Sequence, residues 1–261
     1  MDDAPWYQRF FTEIYLQSYA PILAQVDTDQ QVNFLVERLQ LQSGMRVLDL
    51  CCGQGRHSVP LAQRGLRVTG QDLSEYLLGQ AKQSAKAAGV DIEFVHRDMR
   101  DIQQTDEFDA VINMFTAFGY FEEDAENFKV LAGVAKALKP GGRFCLDVIS
   151  YAWLMRHWQS LGWDRGEGDL LSLEERRMDW LTGIQSSART VIRPYGTREQ
   201  FSHAIRLFPT HELVQWLARA GLRTEALYGD FAGTPYGLDC SRTIVVAQKV
   251  GTQEIREAGR Q

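Results

Sequence analysis

What this chain has little of narrows it first. Only four of its 261 residues are cysteine: Cys51, Cys52, Cys145 and Cys240. Cys51 and Cys52 are adjacent, and no Cys-x-x-Cys pair or Cys/His cluster has zinc spacing, so no metal site is expected. Small apolar thiols in a reducing compartment account for all four. No apolar run approaches the length that crosses a membrane. The opening Met-Asp-Asp-Ala-Pro is acidic where a secretory signal would be basic, and a cytoplasmic location is expected. Positive charge is not in excess either: 28 Lys and Arg face 34 Asp and Glu, a net charge of −6. A broad nucleic-acid footprint demands a basic face, so DNA is not expected as a partner. Repeats and low-complexity segments are lacking. What remains, 44% hydrophobic and 24% charged, suits a globular chain with one good-sized domain and an excursion.

The most informative segment is Val47-Leu-Asp-Leu-Cys-Cys-Gly-Gln-Gly-Arg56, followed by Asp72 nineteen residues beyond Gly53. A hydrophobic run ends in an acid and a glycine loop, and a helix is predicted from His57 to Gln63. Gly53 and Gly55 let backbone approach a ligand where any Cβ would intrude. A helix N-terminus behind the loop offers unpaired N–H groups. An acid about twenty residues on, after a second strand over Leu66 to Gly70, is placed to grip a ribose diol. The pattern points to a nucleoside-type cofactor. It departs from the dinucleotide fingerprint, because Ser58 stands where the third glycine would be. Asp49 would repel a pyrophosphate and attract an ammonium or a sulfonium, which favours S-adenosylmethionine over a nicotinamide cofactor. Ile92 to Met99 predicts a third strand ending in Asp98, suited to accept the exocyclic amine of adenine, with Met99 against the ring.

Two further strands follow, Phe108 to Phe115 and one fed by Leu138-Lys-Pro-Gly-Gly142 and reaching Asp147. The ordered set Leu-Asp-Leu-Cys-Cys-Gly-Gln-Gly, Gly-Gln-Asp-Leu-Ser, Arg-Asp-Met-Arg, Phe-Asp-Ala-Val-Ile-Asn and Leu-Lys-Pro-Gly-Gly resembles the class I S-adenosylmethionine-dependent methyltransferases of small-molecule type. The resemblance covers residues 34 to 148 and returns at the C-terminus. It implies an α/β fold: a Rossmann-like seven-stranded sheet with helices on both faces, plus an antiparallel β insertion between strand 5 and its following helix. It implies cofactor contacts at Asp49, Cys51, Gly53, Gly55, Asp72, Leu73, Asp98, Met99, Asn113 and Met114. Cys51 stands where the family has the first glycine of its loop, and an extended conformation is expected for it. DNA amino-methylating members carry Asn/Asp-Pro-Pro-Tyr where this chain has Asn113-Met-Phe-Thr, a second argument against DNA.

Tyr7, Phe11, Tyr15 and Tyr19 recur at i+4 and would line one face of a helix. The resemblance implies that such N-terminal aromatics close over cofactor and substrate, so residues 1–33 read as a lid with Tyr7 and Tyr15 on the cofactor. Packing on the body is the alternative. Helices are predicted at Asp29 to Leu41, Glu75 to Ala88 ending at Gly89, and Asp124 to Leu138. The core is 34–149 and 209–250, where Thr210 is read as the cap of a helix to Ala220 and strands cover Arg223 to Tyr228 and Arg242 to Lys249. Between them, 150–208 is the insertion: a short helix or irregular cover holding Trp153, Trp158 and Trp163, then three antiparallel strands. Residues 251–261 read as a flexible tail.

Methyl transfer from a sulfonium is an in-line displacement, so acceptor and methyl must be held in line, and a base assists a protonated acceptor. The expected acceptor is a nitrogen or oxygen atom of a small molecule. His203, on the third insertion strand, is the candidate base; Phe115, Tyr120, Trp153, Arg189 and Arg193 are candidate substrate contacts, the two arginines for an acidic group. Each has a packing or solvated-face alternative. In small-molecule relatives such an insertion shapes the acceptor pocket and sometimes pairs subunits, so a homodimer is compatible with it. The rival functions are a nicotinamide-dependent oxidoreductase, a non-catalytic S-adenosylmethionine-binding protein, and an RNA or protein methyltransferase.

Overall fold

Successive residues of the central strand are buried in opposite directions. In the computed structural model, which describes residues 4–251, Val47 of β1 (Arg46–Leu50) joins a cluster with Val32, Leu35 and Leu61. Leu48 and Leu50 join another with Val130, Leu131 and Leu213. The same division runs through β4 (Phe108–Asn113), β5 (Leu138–Ile149) and β11 (Arg242–Lys249). A sheet apolar on both faces needs helices on both. They are α3 (Thr28–Arg38) and α4 (Ser58–Gln63) on one side, α6 (Asp124–Ala137) and α8 (Thr210–Arg219) on the other.

With β2 (Arg67–Asp72), β3 (Glu93–His96) and β10 (Leu222–Tyr228), the order is β10-β11-β5-β4-β1-β2-β3. β11 runs antiparallel to both neighbours and the other pairs are parallel. The loops after β1, β2 and β4 therefore leave the sheet at one end, where open α/β sheets bind ligands. The helix predicted from Glu75 to Ala88 is α5, with Ser74 Oγ accepting from Leu77 N–H at 3.1 Å and Gly89 left-handed at its end. Thr210 is not the expected cap of α8: it is the first helical residue, and its hydroxyl donates instead to Tyr236 Oη at 2.9 Å.

The insertion between β5 and α8 comprises α7 (Tyr151–Arg156) and strands β6 (Leu161–Arg165), β7 (Leu171–Asp179), β8 (Ile184–Ile192) and β9 (Arg198–Arg206), antiparallel in that order. The three expected strands are present. The fourth, β6, lies in the tryptophan-rich stretch and is set by pairing with β7, Trp163 opposite Leu173. Arg206 N–H donates to Gly119 O at 2.7 Å, tying β9 to the loop after β4.

The N-terminal aromatic stretch is not one helix. α1 (Trp6–Phe10) and α2 (Glu13–Ala24) are separated at Phe11 and Thr12. Continuing the helix would commit the Phe11 carbonyl to an N–H one turn on, but Ser74 Oγ donates to it at 2.6 Å. The expectation of a flexible tail falls, apart from Gly251, outside the described residues.

Candidate active site

The glycine loop turns back on the neighbouring strand. The N–H groups of Cys51 and Cys52 both donate to Gln71 O, at 2.7 and 3.1 Å. That turn puts Cys51 at φ +63, so the expected extended conformation is corrected. A residue with a Cβ pays about 1–2 kcal/mol there. Gly53, at φ +56, donates its N–H to Asp72 Oδ2 at 2.8 Å, and Ser74 N–H donates to Asp72 Oδ1 at 2.8 Å. Loop and acid are thus built as one unit. Burial raises the Asp72 carboxyl above its usual range, against those hydrogen bonds.

Gly53, Asp72, Leu73, Asp98, Met99 and Cys51 form one wall of a cleft whose free space, mouth included, is about 830 Å³. Met114, Phe115, Tyr120 and Phe121 form the base, and Tyr7, Phe11 and Tyr15 form the roof. Tyr120 stacks on Phe11 at 5.8 Å and lies 4.9 Å from Trp6. Burial pushes the Tyr15 and Tyr120 phenols above their usual range, so both stay protonated donors. Partial burial pushes the Asp98 carboxyl up, but the hydrogen bonds and charge of Arg100 outweigh it and hold it below the ordinary range. Arg100 Nε and Nη2 donate to Asp98 Oδ1 and Oδ2 at 2.9 and 2.7 Å, and its guanidinium lies 4.2 Å over Phe121.

Phe115 and Thr116 are consecutive left-handed residues, at φ +62 and +61. Asp147 holds them: its Oδ2 accepts from Phe115 N–H at 2.9 Å and its carbonyl from Thr116 N–H at 2.9 Å. Arg242 Nε donates to Asp147 Oδ1 at 2.8 Å. Backbone strain of this kind collects at functional sites. Neither this buried acid, in β5, nor Arg56 on the cleft wall is among the residues singled out for contacts from sequence, because what each touches lies on other elements.

Other expected contacts stand off the cleft. Asp49 is buried behind the loop, its Oδ2 accepting from Ser58 Oγ at 2.5 Å. Gly55 packs on α5, where an added Cβ would lie 3.2 Å from Ala81 Cβ. Asn113 Nδ2 donates to Leu50 O at 3.1 Å, while its Oδ1 is buried without a partner. Trp153 stacks on His157, and Arg193, beyond the end of β8, pairs with Glu199. Arg189 and His203 are buried together under α1 and α2, apart from Arg193. Burial pushes His203 down to about 4, so it is neutral at pH 7 and a weak base. Among the described residues no group of three or more His, Cys, Asp or Glu is arranged to hold a metal ion, and no helix is long and apolar enough to cross a membrane.

Burial raises the Asp49 carboxyl from an ordinary 3.8 to about 6. The folded chain then holds this proton more tightly than the unfolded one, so stability falls as pH rises from about 4 through about 6, by about 2–3 kcal/mol. Asp49→Asn keeps an acceptor for Ser58 without that penalty. Its unfolding free energy relative to wild type should rise by that amount between pH 4 and pH 7 in denaturant titrations. A difference independent of pH would show Asp49 to be ordinary.

The comparisons agree with this architecture. A family model described as a methyltransferase domain matches residues 47–142. The cypemycin N-terminal methyltransferase of a Streptomyces species is 31% identical over 217 residues, covering 79% of this chain and 84% of its own. An S-adenosylmethionine-dependent methyltransferase from Clostridium acetobutylicum superposes with TM-score 0.78 at 19% identity, covering 89% of this chain and 96% of its own. CalS10, an amino pentose methyltransferase from Micromonospora echinaspora with S-adenosylmethionine bound, superposes with TM-score 0.65 at 21% identity, covering 88% and 95%. The chain belongs to the methyltransferase family. It is an S-adenosylmethionine-dependent enzyme, and the nicotinamide alternative is set aside. The cleft fits that cofactor: at Gly53 an added Cβ would meet nothing nearer than Leu77 Cδ1 at 4.0 Å, so backbone faces open space there.

Proposed function

We propose that this enzyme methylates a nitrogen or oxygen atom of a small-molecule acceptor enclosed under the N-terminal aromatic roof. The observation that carries the proposal is the roof itself, Tyr7, Phe11 and Tyr15 set over Tyr120 and Phe121. Residues 1–33 act as the lid, and 150–208 cover the acceptor. The cypemycin relative, an N-terminal methyltransferase by its name, favours nitrogen as the acceptor atom.

When bound, S-adenosylmethionine supplies an electrophilic methyl group on a cationic sulfur. Asp72 binds the ribose diol with the lone pairs that Gly53 and Ser74 leave free. Asp98 has a lone pair beyond those taken by Arg100 that would accept from the adenine amine, and Met99 would offer its thioether to the ring. The rings of Tyr15, Phe11 and Tyr120 exclude water and face a cation favourably. Phe115 and Tyr120 border the acceptor. A neutral amine needs no strong base, and His203, neutral and buried off the cleft, takes no proton from it. Asp72→Ala is expected to weaken S-adenosylmethionine binding by about 1.5–3 kcal/mol, roughly 10- to 100-fold in Kd by calorimetry. Wild-type affinity in that variant would remove Asp72 from the ribose site.

A further inference from the structure

The inward face of the insertion sheet, apolar at Val191 and Phe201, carries a polar cluster beside them, where a covered sheet face is ordinarily apolar. Alternation along three strands places Ser172 and Glu174 of β7, Ser187 and Arg189 of β8, and His203 of β9 on it, all buried. Register sets Glu174 opposite Arg189, and Ser187 opposite His203. Glu174 Oε2 accepts from Arg189 Nη2 at 2.9 Å and from Arg176 Nη2 at 2.5 Å. Two guanidinium groups therefore share one carboxylate. Arg189 is 4% exposed, yet its Nε and Nη1 have no partner, nor have His203 Nδ1 and Ser172 Oγ. Tyr19 of α2 covers the Arg189 guanidinium at 4.7 Å.

Unpaired donors on a buried cation cost several kcal/mol unless something else satisfies them. Glu174 is the one buried carboxylate against the buried Arg189 and the partly exposed Arg176, with Asp164 exposed on the same face, so one further carboxylate would meet the unpaired Arg189 donors and a doubly charged phosphate would overshoot. The cluster is also one aromatic layer from the cleft: the Trp6 ring is 5.8 Å from His203 and 4.9 Å from Tyr120. We infer that the methyl acceptor carries a carboxylate seated on Arg189, with its reacting atom reaching past Trp6 toward Tyr120. This rests on the small-molecule reading above and names the acceptor's chemical class.

The test uses the full chain saturated with S-adenosylhomocysteine and follows the Arg189 Nε–Hε signal by NMR, assigned by its loss in Arg189→Lys. Acetate and benzoate are the probes, with acetamide, benzamide and chloride as controls. A saturable millimolar shift with the carboxylates and none with the amides or chloride is expected. Arg189→Lys should weaken carboxylate binding roughly tenfold, because an ammonium lacks the fixed planar donors, while S-adenosylhomocysteine affinity is kept. No response to carboxylates, or an equal response to all five probes, would overturn the inference and leave the cluster to buried water. Failure of S-adenosylhomocysteine to bind would instead sink the cleft reading beneath it. The wild-type comparison of acid with amide needs no variant to fold.

Discussion

Valine in place of Gly53 is expected to abolish S-adenosylmethionine binding in a chain that still folds. Gly53 sits at φ +56 on the cleft wall, and its N–H is engaged by Asp72. A β-branched residue there is strained by about 1–2 kcal/mol, a loss of only several degrees in melting temperature for a chain of this size. The binding effect is larger because of direction. An added Cβ at Gly53 has only Leu77 Cδ1 nearby, at 4.0 Å, so valine's methyl groups extend into the space the cofactor needs. Overpacking and loss of the close backbone approach together should cost about 3 kcal/mol or more, a rise of 100-fold or greater in Kd. Gly53→Ala should fall between. Calorimetric titration of both variants reads the effect, and a valine variant with wild-type affinity would refute the loop's role.

Asp147→Ala should be the most destabilising of these substitutions. The carboxylate is 1% exposed and bonds both Arg242 and the Phe115 N–H. Truncation leaves that N–H unsatisfied and the guanidinium unpaired, a change worth about 3–5 kcal/mol for a buried pair. Arg242 retains some solvent access, which places the expectation near the lower figure. A fall of roughly 6–12 °C in melting temperature follows. The segment from Phe115 to Tyr120 should also lose its left-handed turn, so S-adenosylhomocysteine should stabilise the variant less than it does wild type. Asp147→Asn, which keeps an acceptor for Phe115, should recover part of both losses. A melting temperature within a degree of wild type for Asp147→Ala would mean that the turn is held by packing alone.

Local chemistry made much of the fold legible. Strand and helix periods marked β1 through β5, and Gly89 marked the end of α5 in its left-handed conformation. The losses fall where tertiary bonds override local pattern. The i+4 spacing of Tyr7, Phe11, Tyr15 and Tyr19 describes a single helix, but a hydrogen bond from Ser74, 63 residues away, opens it at Phe11. Three of these rings still reach the cleft roof, while Tyr19 turns to Arg189. Cys51 was expected to be extended because its left-handed turn depends on the Gln71 carbonyl of a neighbouring strand. β6 carries only five residues, with Gly162 among them, and is a strand because β7 pairs with it.

The site divides along the same line. Gly53, Asp72, Leu73, Asp98 and Met99 are adjacent in space because they follow strands whose order a doubly wound sheet dictates. Asp49 and Asn113 also lie at strand ends, yet their side chains turn inward, to Ser58 and to the Leu50 carbonyl. Alternation within β7, β8 and β9 was visible in the residues. Which face would be covered, and that Arg189 and His203 would lie beneath Tyr19 and Trp6, depended on register and on the path of α1 and α2.

Thermal unfolding of the purified chain with S-adenosylmethionine, S-adenosylhomocysteine and NAD in parallel tests the cofactor cleft most directly. At one hundred times its dissociation constant a ligand stabilises by about 2.7 kcal/mol, or roughly 5–11 °C at this size. A shift of that order with both sulfur nucleosides and none with NAD is the result the cleft predicts. A shift with NAD alone, or with none of the three, would contradict it and return Gly53, Asp72 and Asp98 to purely structural roles.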